Sequence, residues 1–208
     1  MASKQASPHH LPRAALAKVP RQQRSIAMVH SIVDAAKRVL EREGLEAFTT
    51  NRVADVAGVS VGSLYQYFPN KDALLLGVME RGLHMAEDVC HQALAASQAT
   101  TFEEAYRELM TGLIEHLEPR RPLLREVLAG TPLLSETGFV SVVESMVRDL
   151  IGELRVRASL PPLAPDASYV AVNAMAFVFL KWMTETPAHV SREALLTQLA
   201  RMITAMGT

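Results

Sequence analysis

The chain has 208 residues, 49% hydrophobic and 21% charged, enough to bury a core in one or two compact domains and too short for more. Its single cysteine, Cys90, excludes an intramolecular disulfide and a thiolate pair for zinc or redox chemistry. The net charge of −1 hides a division: residues 1–71 hold ten Lys/Arg against five Asp/Glu, net +5, while residues 72–208 hold eleven against seventeen, net −6, so a polyanion partner belongs to the front third.

Residues 1–22 contain three prolines and no hydrophobic period, the composition of a disordered arm. No acidic residue precedes Asp34, so Lys4, Arg13, Lys18, Arg21 and Arg24 form an unopposed basic run. It suits phosphate, and it suits an ordinary solvated tail equally well. The arm has neither the apolar stretch nor the small-residue cleavage site of a secretory signal, which places the expected protein in the cytoplasm. From Ile26 the apolar residues Ile26, Val29, Val33, Ala36 and Leu40 recur with helical period, and Gly44 supplies a stop.

The segment Phe48–Asp72 reads as two very short helices. Thr50 is expected to cap the first, Val53, Ala54 and Ala57 form its apolar edge, and Gly58 suits a sharp turn. Ser60 is expected to cap the second, whose Leu64 and Phe68 face inward and leave Val61, Gly62, Ser63, Gln66 and the rims of Tyr65 and Tyr67 outside. Helices this short must pack on the stripe from Ile26 to Leu40, giving a three-helix unit that displays its second short helix. Asn70 reads as the cap of the next helix. That puts Lys71 in a first turn, where a cation opposes the helix dipole unless an anion such as a DNA phosphate joins it.

Further helices are predicted around Lys71 to Ala96, Phe102 to Leu117, Arg121 to Leu128, Glu136 to Ser159, Asp166 to Glu185 and Ser191 to Met206. They are divided by Pro119 and Pro122, Gly130 with Pro132, the Pro161, Pro162, Pro165 cluster and Pro187. No sustained period-two alternation occurs, so the predicted fold class is all-α. The apolar run from Val170 to Leu180 is interrupted by Asn173 and closed by Lys181, short of the roughly 20 residues of a bilayer span, and no membrane partner is expected.

On Thr49-Thr50, Val53-Ala54, Ala57-Gly58-Val59-Ser60, Leu64-Tyr65-Gln66-Tyr67-Phe68 and Lys71, the stretch from about Ile26 to Leu76 resembles the DNA-binding domain of the tetracycline-repressor (TetR) family of bacterial transcriptional regulators. The resemblance implies a homodimer on a palindromic double-stranded DNA operator, with recognition helices in successive major grooves. It also implies a C-terminal domain in which a small-molecule effector loosens DNA binding. Transferred position by position, Thr50, Tyr65, Tyr67 and Lys71 match phosphate contacts, and Asn51, Val61, Gly62, Ser63 and Gln66 match positions that approach bases. Val61 suits a thymine methyl, Gln66 and Asn51 suit adenine, and Gly62 lets the backbone come close. The expected organisation is a basic arm over 1–22, a helix-turn-helix domain over 23–70 and a helical effector-binding and dimerisation domain over 71–208.

In that last domain, residues Tyr169 to Met183 are apolar around most of the helix, and Ala171, Ala174 and Ala176 permit close approach. The last two helices are therefore the candidate dimer interface, with a helix central to its own domain as the alternative. An effector cavity is implied by the resemblance alone. Its candidate lining is Met110, Met146, Phe177 and Trp182, with plain core as the alternative, and Arg125 would anchor an anionic head unless it faces solvent or pairs with a glutamate. His84, Asp88 and His91 have metal-compatible spacing beside Glu87. They lie opposite the stripe Leu75, Val78, Gly82, Ala86, Val89 and Ala93, so a solvated face, no metal and no cofactor are expected. No Gly-rich phosphate loop, nucleophile motif or acid–base pair marks an enzyme. A ligand-released repressor is the leading reading, with activation and ligand-independent action open beside it.

Overall fold

The computed structural model describes residues 11–130, 139–185 and 187–206, and these are all-α with no strand among them. In chain order the helices are α1 Gln23–Ala47, α2 Thr50–Ala57, α3 Val61–Tyr65, α4 Lys71–Ala96, α5 Phe102–Leu117, α6 Arg121–Gly130, α7 Phe139–Arg157, α8 Pro165–Glu185 and α9 Arg192–Ala205, with a short 3-10 turn at Glu118–Arg120. The predicted start of the seventh helix at Glu136 lies outside the described residues.

Two compact units divide the chain. One comprises residues up to His84 with Glu126–Phe139, and the other Met85–Arg125 with Val140 onward. The division thus falls inside α4 and α6 rather than at residue 70, the boundary expected from the sequence. A helix start marks a change of backbone, not of core: Leu74, Leu75 and Leu76 are buried in the first unit, whereas Ala86, Cys90 and Leu94 of the same helix join the core of the second.

In the first unit, α1 buries Val29, Ile32, Val33, Ala36, Val39 and Leu40, the stripe read from its period. Its regular helix breaks at Gly44, where φ is 79° and ψ −179°, and a last turn follows to Ala47. That region of backbone space is open to glycine almost alone. A Cβ there would touch nothing within 4 Å, so Gly44→Ala is expected to cost only the strain, about 1–3 kcal/mol. Thermal denaturation of the variant checks this; an unchanged midpoint would contradict it.

The expectation of disorder over residues 1–22 fails where the chain is described. Leu11, Ala15 and Pro20 are buried. Ala15 N–H donates to the Pro12 carbonyl (3.2 Å), Ala17 N–H to that of Tyr67 (2.9 Å) and Ala14 N–H to the Glu80 carboxylate (3.1 Å). Two apolar residues four apart on one turn are too weak a signal to read locally. They order because the acceptors lie tens of residues away in sequence. Lys4 lies outside the described residues.

The second unit buries Tyr106, Leu109 and Ile114 of α5, Leu150, Ile151 and Leu154 of α7, Ala171, Val172, Met175, Phe179, Trp182 and Met183 of α8, and Leu196, Leu199 and Ile203 of α9. Thr101 caps α5 and Ser191 caps α9, each accepting a backbone N–H three residues on. Arg157 donates to the carbonyls of Leu94 and Ser97 near the end of α4. Burial pushes the Cys90 thiol up to about 12, so it stays protonated and unreactive. Helix α8 is long and apolar enough to cross a membrane by length and composition. Its inner stripe belongs to the core, however, and its outer face carries Tyr169, Val170, Phe177 and Val178 exposed.

Candidate nucleic-acid interface

The recognition surface rests on three caps. Thr49, not Thr50, caps α2, its hydroxyl accepting from Arg52 N–H at 3.1 Å. The shift of one residue frees Thr50, whose Oγ1 lies 3.1 Å from Tyr65 Oη and ties the start of α2 to the end of α3. Gly58 adopts the left-handed conformation (φ 67°, ψ 31°) that closes α2 and turns the chain. Ser60 caps α3 through Ser63 N–H at 3.1 Å, and the Ser60 and Ser63 hydroxyls are 2.8 Å apart. Asn70 caps α4 through Ala73 N–H at 2.7 Å.

These caps orient α3 so that Leu64 and Phe68 are fully buried, while Asn51, Gly62, Tyr65 and Gln66 are exposed and Val61 and Ser63 half-exposed. A Cβ at Gly62 would meet nothing nearer than Ser60 Oγ at 4.0 Å, so the backbone there is open to a close approach. The two tyrosines expected on the rim differ. Tyr65 is 46% exposed, but Tyr67 is 8% exposed, because its ring is drawn into the domain and its carbonyl is held by Ala17.

Lys71 occupies the first turn of α4 and extends Nζ to the Leu45 carbonyl at 3.1 Å. The Leu45 N–H, left without a helical partner by the break at Gly44, donates to Glu126 Oε1 at 3.2 Å. One residue's backbone therefore joins Lys71 to a carboxylate on α6. The ammonium keeps two N–H donors beyond this contact. Arg52 adds no free charge: its Nε and Nη2 meet the two oxygens of Glu43 at 2.9 and 2.8 Å, and that contact holds the Glu43 carboxyl below the usual carboxylate range. Sequence reasoning did not find Thr49 as the cap, Ala17 against Tyr67, or Glu126. The first differs from its neighbour only in position, and the other two are long-range contacts.

The residues expected around an effector do not share one environment. Met110 and Trp182 are buried in the core of the second unit and Met146 packs partly against it. Trp182 Nε1 donates to the Val190 carbonyl (3.1 Å), and the Arg121 guanidinium stacks 5.0 Å from its ring. Arg125 is exposed and donates to the Thr184 carbonyl at 2.7 Å. Phe177 is not a lining residue of this protomer: it is 68% exposed on the outer face of α8. On the face expected to be solvated, His91 Nδ1 lies 3.2 Å from Glu153, and among the described residues no group of three His, Cys, Asp or Glu side chains is placed to hold a metal.

A short capped helix displayed over two buried anchors, with a hydroxyl pair and a lysine on its rim, defines a helix-turn-helix DNA-binding protein. The family profile of bacterial regulatory proteins of the tetR family matches residues 32–78, the stretch that forms this site. The transcriptional repressor KstR of Mycobacterium tuberculosis is 27% identical over 172 residues, covering 83% of this chain and 75% of its own. Among solved structures, the TetR family repressor AlkX of Dietzia is similar with a TM-score of 0.62 at 20% identity, covering 86% of this chain and 97% of its own. FadR of Thermus thermophilus, a TetR family repressor crystallised with lauroyl-CoA, has a TM-score of 0.56 at 22% identity, covering 85% and 89%. Residues 32–78 carry a DNA-binding domain of the tetR type, and the similarities along the rest of the chain are those of a DNA-binding transcriptional regulator rather than an enzyme.

Proposed function

We propose that the protein is a cytoplasmic homodimeric repressor that holds a palindromic operator and is released from it by a small-molecule effector. The hydrogen-bonded Thr50–Tyr65 pair between α2 and α3 carries the reading: its hydroxyls, with the Lys71 ammonium at the start of α4, are the kind of donors that phosphates accept. Thr50, Tyr65 and Lys71 hold the backbone, the buried Tyr67 supports α3 from beneath, and Asn51, Val61, Gly62, Ser63 and Gln66 approach the bases. KstR is named a repressor in M. tuberculosis and Mycolicibacterium smegmatis, which supports repression over activation.

Lys71→Ala is expected to weaken binding about equally on all sequences and to lower the salt slope by about 1, whereas Gln66→Ala changes preference at one base pair by ~1–3 kcal/mol. Anisotropy titrations on an operator library separate these outcomes. A Lys71→Ala variant whose affinity and salt slope match the wild type would sink the docking.

Dimerisation through α8 and α9 would present two half-sites, and the exposed apolar face of α8 supports it. Effector binding is assigned to the second unit. Its core contains Met110, Met175 and Met183, which adapt to ligand shape, and two buried polar atoms without a hydrogen-bond partner, Tyr106 Oη and Arg155 Nη2. An effector with an apolar body and a polar group satisfies both features. Tyr106→Phe removes a buried hydroxyl that has no partner, so it is expected to leave stability unchanged or raise it by up to about 1 kcal/mol. In a thermal-shift screen of small molecules followed by release from the protein's own promoter, compounds that shift the wild type should shift this variant less. A screen with no releasing compound would favour a ligand-independent regulator.

A further inference from the structure

We infer that residues 11–21 form a second DNA-contacting element, a strap fastened to the helix-turn-helix unit that carries Arg13, Lys18 and Arg21 to the duplex backbone beside the recognition helix. The inference rests on the docking proposed above and adds a surface outside the motif.

The fastening is made at two points. Ala17 N–H donates to the carbonyl of Tyr67, two residues past the end of α3, which fixes Lys18 one residue from the end of the recognition segment. Ala14 N–H donates to Glu80, which is only 5% exposed. A carboxylate so buried needs donors, and the strap supplies one from its backbone. Burial pushes the Glu80 carboxyl above its usual range while the Ala14 N–H pulls the other way, so the strap and the ionised carboxylate stabilise each other.

Packing closes the joint. Leu11 and Ala15 are buried, and a Cβ on Gly77 would lie 3.5 Å from Ala15 Cβ and 2.9 Å from Phe68 Cε1. The strap, α4 and the anchor of α3 therefore meet at one point, and no larger residue fits at 77 without displacing the ring.

The outward side of the strap is uniformly positive. Arg13, Lys18 and Arg21 are exposed, and none forms an ion pair among the described residues. No acidic residue occurs before Asp34. These cations are held on the same unit as Tyr65 and Lys71, with Lys18 next to the residue bonded to Tyr67, and a DNA backbone is the partner whose charge matches them without sequence preference. An acidic protein surface would not be expected to follow the position of the recognition helix.

The test uses the full chain on an operator duplex and an unrelated duplex, with affinity measured by fluorescence anisotropy across a salt series. Combined Arg13→Gln, Lys18→Gln and Arg21→Gln substitutions should lower affinity on both duplexes alike, by about tenfold or more. They should also reduce the slope of log K against log salt by about 0.9 for each phosphate that is no longer neutralised. Glu80→Ala, which removes no positive charge, should lower affinity on both duplexes and expose Arg13 and Lys18 to trypsin. Glu80→Gln keeps an acceptor for Ala14 N–H and should recover most of both properties, which separates loss of the strap from loss of the fold. A triple variant with wild-type affinity and slope overturns the inference. So does a triple variant that is weakened while Glu80→Ala binds DNA and resists trypsin like the wild type, since the basic residues would then act as an unfastened tail. Lys71→Ala, measured in parallel, distinguishes the two readings: if it weakens binding and the triple variant does not, the strap fails and the helix-turn-helix docking stands.

Discussion

Phe177→Asp is expected to give a folded protomer that sediments as a monomer at micromolar concentration and binds its operator about a hundredfold more weakly or worse, because losing bivalency alone removes an avidity factor of roughly 10²–10⁴. Helix α8 has two apolar sides. At roughly 100° per residue, Ala171, Val172, Met175, Phe179, Trp182 and Met183 fall on the side that is buried, while Tyr169, Val170, Phe177 and Val178 fall on the other, and Tyr169 is 70% exposed. A stripe of this kind on a lone protomer marks an interaction surface. In a two-fold dimer each substitution acts twice, once from either subunit, and places a carboxylate in a desolvated contact. Since Phe177 is 68% exposed and lies outside the core of its own unit, helical content should be unchanged by circular dichroism. A variant that still sediments as a dimer would move the interface elsewhere.

Phe68→Ala has the second large effect, now on the DNA-binding unit. Phe68 is fully buried, anchors the end of α3, and its ring edge fills the space that Gly77 leaves open. Truncating such a residue costs about 3–5 kcal/mol, a large part of the total stability of a small domain. For a unit of this size each kcal/mol lowers the midpoint by roughly 4–8 °C. Calorimetry should show the first unit melting more than about 10 °C earlier while the second keeps its transition, and operator binding should fail at 37 °C, a temperature above the roughly 10–20 °C at which such domains are most stable. A single transition lowered by only a few degrees would mean that Phe68 does not hold the recognition helix in place.

Much of the architecture is legible in the sequence because its signals are local. The bounds of α4 and α5 agree with those read from Asn70 as a cap and from Pro119 as a breaker, since a cap and the N–H it satisfies lie within three residues. The buried pair Leu64 and Phe68 follows from helical spacing alone. The cap of α2 falls one residue earlier than expected because Thr49 and Thr50 are chemically identical, and only the path of the chain past Phe48 chooses between them. Phe177 is outside rather than inside for a related reason: on a helix apolar all round, period does not say which side its own domain covers.

The sequence by itself determined that this is an all-α regulator with a helix-turn-helix between residues 50 and 71, and most of the side chains that motif displays. Tertiary structure alone decided that residues 11–20 are ordered, that Lys71 and Glu126 share the backbone of Leu45, and that Tyr169, Val170, Phe177 and Val178 of α8 stay exposed among the described residues. The physical difference is range. Helix period, caps and turns arise from interactions spanning about four residues. The acceptor for Ala14 lies 66 residues away and that for Leu45 lies 81 away, so their partners are set by packing that no local pattern encodes.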